Sequence, residues 1–471
     1  MDLLIVEGLQ VRYSIHKEPS IRDVSFSMKK GELVLLTGKS GCGKSTLLKC
    51  INLTIPHFIQ AEMRGVICIG DRNTASMQVQ DIVSLVGIMW QDVEAQIVNL
   101  KVEDELAFGL ENLGVEASEI TRRLKVLEPL LKIDYTAFIH SLSGGQKQRV
   151  VMGAVLSMLP DLILLDEPLA NLDYESSKSF LAFIKSLTGM GKSILMVEHR
   201  LDMAAHYCDR LLIIEKGVLV RDIDDRDAIL EEERKRKFFR TLQNGNSRQE
   251  SAVSINNLSF SYGHKSVLSN VSIDIKAGER VVVLGENGCG KTTLLKIISG
   301  LLPVRNSENG MLKLFGAPVH KKRKGQEGMI GFVFQNPNHQ LFMDSVYNEV
   351  CLNGFNDKFV EEIVELFELD ELLSRHPLSL SQGQKRLVAV ASVMASKPKI
   401  LLLDEPTIGQ DYDNLHRITE VLNALNQRYG MTLITVTHDK LAAKALCDRV
   451  VEIAQGGIGV GGVEMVDQYF S

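Results

Sequence analysis

The sequence predicts an α/β fold in two tandem copies, and three observations carry that prediction. An apolar run of strand length feeds straight into a glycine-rich loop twice, at 32–46 and at 279–293. An apolar run ends in Asp-Glu-Pro twice, at Asp166-Glu167-Pro168 and Asp404-Glu405-Pro406. Some twenty residues before each of these lies a small polar loop, Leu142-Ser143-Gly144-Gly145-Gln146 and its echo Leu380-Ser381-Gln382-Gly383-Gln384. Matching landmarks lie about 240 residues apart, which is domain duplication rather than a short-repeat solenoid.

Bulk composition fits two globular domains. Of 471 residues, 45% are hydrophobic and 24% charged, ordinary values for such a protein. A net charge of −6 argues against a general nucleic-acid binder, which is usually basic. No apolar run reaches the roughly 18 residues that span a bilayer. Residues 1–13 lack the basic region and apolar core of a signal peptide and read as a strand, with Leu4, Val6, Leu9 and Val11 in near-alternation. The seven cysteines follow no metal spacing. Cys42 and Cys289 lie inside the glycine loops, where oxidation would interfere with ligand binding, so free thiols and a reducing compartment are expected.

In chain order, 1–225 form the first domain. Tyr13 precedes the glycine loop by about 25 residues; it is either a core tyrosine or an aromatic that stacks on a base, since every base has a π-face. Tyr262 holds the matching place in the second half. The strand Glu32-Leu33-Val34-Leu35-Leu36-Thr37 leads into Gly38-Lys39-Ser40-Gly41-Cys42-Gly43-Lys44-Ser45-Thr46, the phosphate-loop pattern G-x-x-x-x-G-K-[ST] between strand and helix. Its glycines let backbone N–H groups turn toward phosphate oxygens. Lys44 reaches the β- and γ-phosphates and the Ser45 hydroxyl binds Mg²⁺, with the helix N-terminus adding positive potential. Gly285-Glu286-Asn287-Gly288-Cys289-Gly290-Lys291-Thr292-Thr293 repeats the arrangement with Lys291 and Thr292.

Gln91 follows a strand-like run at 86–90, and Gln335 follows one at 330–334. Residues 101–140 read as charged helices. The Ser143 and Ser381 loops each open a helix, whose N-terminus is an anion site. In the first Asp-Glu-Pro strand Asp166 would hold Mg²⁺ and Glu167 would polarise the attacking water; Asp404 and Glu405 are their counterparts. His199 and His438 each close a further apolar strand. Residues 226–251 have linker composition, with a mixed-charge run at 231–240 read as a solvated helix, and the second domain spans 252–471. Lys321-Lys322-Arg323-Lys324 reads as an exposed loop.

The order phosphate loop, LSGGQ-type loop, Asp-Glu-Pro strand and histidine resembles the ATP-binding-cassette (ABC) ATPases over nearly the whole chain outside the linker. The resemblance implies, for each half, a RecA-like α/β core, an antiparallel β region and a helical subdomain. It implies ATP and Mg²⁺ as ligands. Tyr13 and Tyr262 would stack on adenine. Gln91 and Gln335 would touch Mg²⁺ and the attacking water, and His199 and His438 would contact the γ-phosphate. Ser143, Gly144, Gly145 and Gln146, and likewise Ser381, Gln382, Gly383 and Gln384, would close on ATP held by the other cassette. Asn171-Leu172-Asp173 and Gly409-Gln410-Asp411 are similar to D-loops. A tether of about 26 residues spans roughly 25–30 Å and gives an effective concentration on the order of millimolar, which permits intramolecular pairing; pairing with another chain stays open.

Within that family, Gln335-Asn336-Pro337-Asn338-His339-Gln340-Leu341-Phe342 resembles the ATPases of energy-coupling-factor (ECF) importers, as does Gln91-Asp92-Val93-Glu94-Ala95-Gln96-Ile97-Val98. The resemblance implies a motor subunit on the cytoplasmic face of a prokaryotic membrane. Its partners would be an integral membrane coupling protein and a membrane subunit that captures a vitamin or metal ion, with no nucleic acid. Two other readings compete. A soluble tandem-cassette factor acting on ribosomes usually carries a longer helical arm between cassettes than 226–251 allows. A fused sugar-type importer often has one damaged catalytic site, whereas both are complete here. Three departures stand out: Gln382 replaces the first glycine of its loop, Gln410 replaces a leucine, and Trp90 stands where phenylalanine is commoner. Gln382 could make the two sites unequal, but both are expected to hydrolyse ATP.

Overall fold

The computed structural model describes residues 2–15, 17–235, 249–303, 311–319, 328–352, 354, 356–454 and 456–471. The 321–324 basic run and 236–248 of the expected linker lie outside these. The chain divides into two compact units, Met1–Arg236 and Lys237–Ser471.

Each unit is built on one six-stranded sheet. In the first the order is Val218–Ile223, Arg210–Glu215, Leu33–Thr37, Ser193–Val197, Leu162–Asp166, Val86–Met89. All neighbours pair in parallel except the antiparallel edge strand Val218–Ile223. The central strands are buried at every position, the mark of a parallel sheet covered on both faces. Successive side chains serve opposite layers. Leu33, Leu35, Ile163, Leu165, Ile194 and Met196 pack into the helical side. Val34, Leu36, Leu162, Leu164, Leu195 and Val197 pack toward a four-stranded antiparallel sheet formed by Ile21–Lys29, Asp2–Tyr13, Ala61–Ile69 and Arg72–Asn73.

The second unit repeats this. Its six-stranded order is Ile330–Val333, Ile400–Asp404, Thr432–Val436, Arg280–Leu284, Arg449–Ala454, Gly457–Gly461, beside a four-stranded sheet centred on Ser251–Tyr262. Helical material expected over 101–140 forms as Val102–Asn112 and Ala117–Leu131, which pack on Gly144–Ser157 through Leu106, Leu124, Leu131 and Val150.

In both units the strand after the glycine loop's own strand in space is not the Asp-Glu-Pro strand. Ser193–Val197 lies between them, registering Leu36 with Val197 on one side and Asp166 with Val197 on the other. Three strand C-termini therefore converge on one edge, where parallel sheets bind ligands.

The stretch expected as a linker starts as structure. Arg226–Lys235 is a helix capped by Asp225, whose Oδ1 accepts from Ala228 N at 2.8 Å. Ile229, 1% exposed, anchors it in the first unit's core. The physical reason is that one buried isoleucine outweighs the charge of its exposed neighbours.

Candidate active sites

Each phosphate loop is a backbone construction that only glycine permits. Gly38 has φ +152°, and a Cβ there would lie 2.1 Å from Ile214 O; at Gly285, with φ +145°, it would lie 2.4 Å from Ile453 O. Gly43 and Gly290, at φ +109° and +111°, cap the helices Lys44–Ile51 and Lys291–Ser299. Between them Lys39-Ser40-Gly41 and Glu286-Asn287-Gly288 face outward, and Gly41 and Gly288 have nothing within 4 Å of a notional Cβ. The tip of each loop is thus open to solvent.

The lysines brace this shape. Lys44 Nζ donates to Gly38 O at 2.8 Å and Lys39 O at 3.0 Å. Lys291 Nζ donates to Gly285 O and Glu286 O at 2.6 and 2.7 Å. Both ammonium groups are buried at the loop where phosphate oxygens would sit. Cys42 and Cys289 are free thiols within the loops. Thr46 bonds Tyr13 Oη at 3.0 Å, so this ring is tied to the phosphate-loop helix. Tyr262 is half exposed and meets Phe260 edge-on, with centroids 5.1 Å apart.

The helix after each loop presents its hydroxyl to the neighbouring strand end. Ser45 Oγ donates to Asp166 Oδ1 at 3.1 Å, and Thr292 Oγ1 to Asp404 Oδ1 at 3.0 Å. Burial, then the adjacent Glu167, pushes the Asp166 carboxyl up to about 6, against the Ser45 hydrogen bond. Burial likewise raises Asp404. An oxygen-only pair of hydroxyl and under-compensated carboxylate suits Mg²⁺, a hard cation that takes one or two protein oxygens and keeps several waters.

Glu167 and Glu405 both sit in left-handed backbone, at φ +48° and +51°. Such strain in a non-glycine residue is usual at functional sites. Their N–H groups donate to Val197 O and Val436 O. Glu167 gathers the predicted residues of its unit: Gln91 Nε2 donates to Oε2 at 2.6 Å, and His199 Nε2 lies 3.0 Å from Oε1. The second unit gathers fewer. His438 Nε2 is 3.3 Å from Glu405 Oε1 and 3.1 Å from Asn287 Oδ1, while Gln335 is exposed.

The LSGGQ-type loops are capping boxes. Ser143 Oγ accepts Gln146 N–H at 3.3 Å while Gln146 Oε1 accepts Ser143 N–H at 2.9 Å. Ser381 and Gln384 repeat this at 3.3 and 3.1 Å. At Gly144 a Cβ would meet only Asn171 O, at 3.9 Å, so Gln382 at the matching place needs no rearrangement of its loop. Asp173 and Asp411 cap the next helices.

The family model described as "ABC transporter" matches residues 21–170 and 268–408. The chain belongs to the ABC transporter family. Its two units are thus two ABC cassettes, of a family whose cassettes bind ATP, generally with Mg²⁺. A Bacillus subtilis protein named "Putative HMP/thiamine import ATP-binding protein YkoD" is 32% identical over 98% of this chain and 91% of its own length. A Methanosarcina mazei protein named "Putative ABC transporter ATP-binding protein" is 33% identical over 98% and 89%. Among solved structures, an archaeal ribosome recycling factor, aABCE1, in complex with the ribosomal stalk protein aP1, aligns with a TM-score of 0.67 at 21% identity, covering 98% of this chain and 92% of that one. At that identity the likeness is one of fold.

Two pairs of residues in the cassettes escaped the sequence reading. Glu105, inside a run read as charged helix with no role given to this residue, is buried, and its Oε2 accepts Val98 N–H and Asn99 N–H at 3.0 and 2.7 Å. Glu349 does the same for Phe342 and Met343, both at 2.9 Å. The repeat of an acidic residue at matching helical positions was the available signal. The second pair is Gln148 and Arg386, two residues past each capping glutamine. Gln148 Nε2 donates to Pro168 O at 2.5 Å and the buried Arg386 Nη1 to Glu405 O at 2.9 Å.

Burial pushes the Glu405 carboxyl up to about 7, from an ordinary 4.5. A carboxyl so raised holds its proton more tightly folded than unfolded. Its contribution to stability is present in acid and is lost as pH rises from 4.5 through 7. In nucleotide- and magnesium-free buffer, Glu405→Gln is expected to stabilise the chain by up to about 3 kcal/mol at pH 8 and by far less at pH 5. Urea titrations at the two pH values check this; a gain independent of pH would contradict it.

Proposed function

We propose that this chain is the ATP-hydrolysing motor of an ECF-type importer, driving uptake of a vitamin or metal ion through separate membrane subunits. The observation that carries the reading is the segment after Gln91 and its counterpart after Gln335. Buried Glu105 and Glu349 clasp the backbone of these segments, while Val98, Leu100 and Phe108, and Phe342, Tyr347 and Leu352, stay exposed. An apolar surface held rigid from beneath suits a helix of a membrane coupling protein. The relative named for HMP/thiamine import, matched along nearly its whole length, supports the same class of cargo. Among the described residues no helix is long and apolar enough to cross a membrane; the coupling and capture proteins are proposed as separate chains. The motor works at the cytoplasmic face of a prokaryotic membrane.

ATP is the substrate at two composite sites. Lys44 and Glu167 work with Ser381 and Gly383, and Lys291 and Glu405 with Ser143 and Gly145. Ser45, Asp166 and Gln91 would hold one Mg²⁺, and Thr292, Asp404 and Gln335 the other; when bound, the ion would supply positive charge beside the transferred phosphoryl group. Glu167 and Glu405 orient and deprotonate the attacking water, and His199 and His438 contact the γ-phosphate. Dividing the donors between cassettes makes hydrolysis depend on closure, because one positioned donor is worth about 10²–10³ in rate.

Affinity purification of the tagged chain from detergent-solubilised membranes is expected to recover integral membrane proteins in fixed ratio to it. Recovery with ribosomes, or with no membrane protein, would overturn the proposal.

A further inference from the structure

The two cassettes differ in what occupies the slot behind the glutamate that ends each Asp-Glu-Pro strand. In the first, Glu198 fills it. His199 N–H and Arg200 N–H donate to Glu198 Oε1 at 2.8 and 3.1 Å, and Leu169 N–H donates to Oε2 at 3.1 Å. Glu198 is itself 2% exposed. With those donors taken, Glu167 turns outward to Gln91 and His199.

In the second cassette the residue before the histidine is Thr437. Its hydroxyl lies 3.2 Å from Thr407 Oγ1, the counterpart of Leu169, and accepts Asp439 N–H at 3.1 Å. It does not take the histidine's backbone donor. That N–H is buried and must find an acceptor, and it finds Glu405 Oε2 at 3.1 Å. Glu405 is drawn inward; its side chain is 6% exposed against 15% for Glu167. Its Oε1 lies 3.3 Å from His438 Nε2 without a hydrogen bond to it, and Gln335 makes none to Glu405.

We propose that the residue before the histidine, Glu198 or Thr437, is a positioning residue that decides whether the neighbouring glutamate faces the nucleotide or is held inward, so that the site built on Glu167 turns over faster than the one built on Glu405. The inference rests on reading Glu167 and Glu405 as the water-activating groups. Glu198 works by satisfying the histidine N–H and by filling the slot with its own side chain.

Steady-state phosphate release by the full chain, measured across ATP concentration, tests this. Glu198→Thr is expected to lower kcat by about tenfold, with KM for ATP changing by less than about twofold. Glu198→Gln, whose amide oxygen still accepts the N–H, recovers most of the parental kcat. Thr437→Glu combined with Thr407→Leu recreates the first cassette's pair, and is expected to raise kcat by up to about twofold as the slower site approaches the faster. Should Glu198→Thr fail to fold, this second pair decides. Unchanged kcat in Glu198→Thr, equal losses in Glu198→Thr and Glu198→Gln, or no gain from the second-cassette pair overturns the inference. If Glu167→Gln and Glu405→Gln each leave turnover intact, the underlying assignment of these glutamates fails instead.

Discussion

Replacing Glu167 by glutamine is expected to remove most of the chain's ATP turnover, and replacing Glu405 a smaller share. Together the two changes should slow phosphate release by about 10²–10⁴, the usual contribution of a positioned general base. The inequality follows from geometry. Glu167 already meets Gln91 Nε2 at 2.6 Å and His199 Nε2 at 3.0 Å, whereas Glu405 is spent on the backbone of His438. Nucleotide affinity should survive in the double variant, because Lys44, Lys291 and both glycine loops are untouched. A loss in kcat with KM retained is the signature of an interaction made in the transition state. Phosphate release and titration with a fluorescent ATP analogue give the two quantities. Turnover unaffected by either single change would refute two glutamate-dependent sites; equal losses would refute the inequality.

Much of the fold was legible because its signals were local and doubled. The runs at 33–36 and 162–165 are apolar throughout, as a strand covered on both faces requires, and each recurs in the second half. The glycine loops were legible because a backbone at φ +109° with a carbonyl 2.5 Å from a notional Cβ admits no other residue at Gly43. Side chains acting through the backbone were not legible. Glu198 reads as one more acidic residue, and only the fold reveals that its carboxylate takes three N–H groups. The mixed-charge run at 231–240 reads as a solvated helix; that the helix starts at Arg226 and is tied to the core, chiefly through Ile229, was not legible. Tyr13 was open between core and base-stacking readings; its hydroxyl on Thr46 joins a strand to a helix 33 residues away, which no local pattern encodes.

The second cassette carries an internal ion pair that the first replaces with a leucine, and the comparison yields a stability prediction. Arg280, 3% exposed, opens its central strand at the position of Leu33. Its Nε and Nη2 donate to the two oxygens of Asp448 at 3.1 and 2.6 Å, and Nη1 donates to Asn423 Oδ1 at 2.7 Å. Asp448 also accepts Arg280 N–H at 3.1 Å, as Asp209 accepts Leu33 N–H at 2.9 Å. Asp448→Ala strands a buried guanidinium and is expected to cost about 3–5 kcal/mol. Arg280→Leu should cost less, since Asp448 keeps the backbone bond, its side chain is 22% exposed and leucine is the first cassette's residue there, although Asp209 is also paired with Lys185. The single tryptophan, Trp90, lies in the first unit and separates the two cassettes experimentally. In urea, the far-ultraviolet circular dichroism transition of the second cassette should move to lower denaturant while the Trp90 fluorescence transition stays in place. Equal costs for the two substitutions would mean that the pair is worth clearly more than the leucine packing that replaces it, against the rule that a buried ion pair is weak support unless removing one partner leaves the other uncompensated.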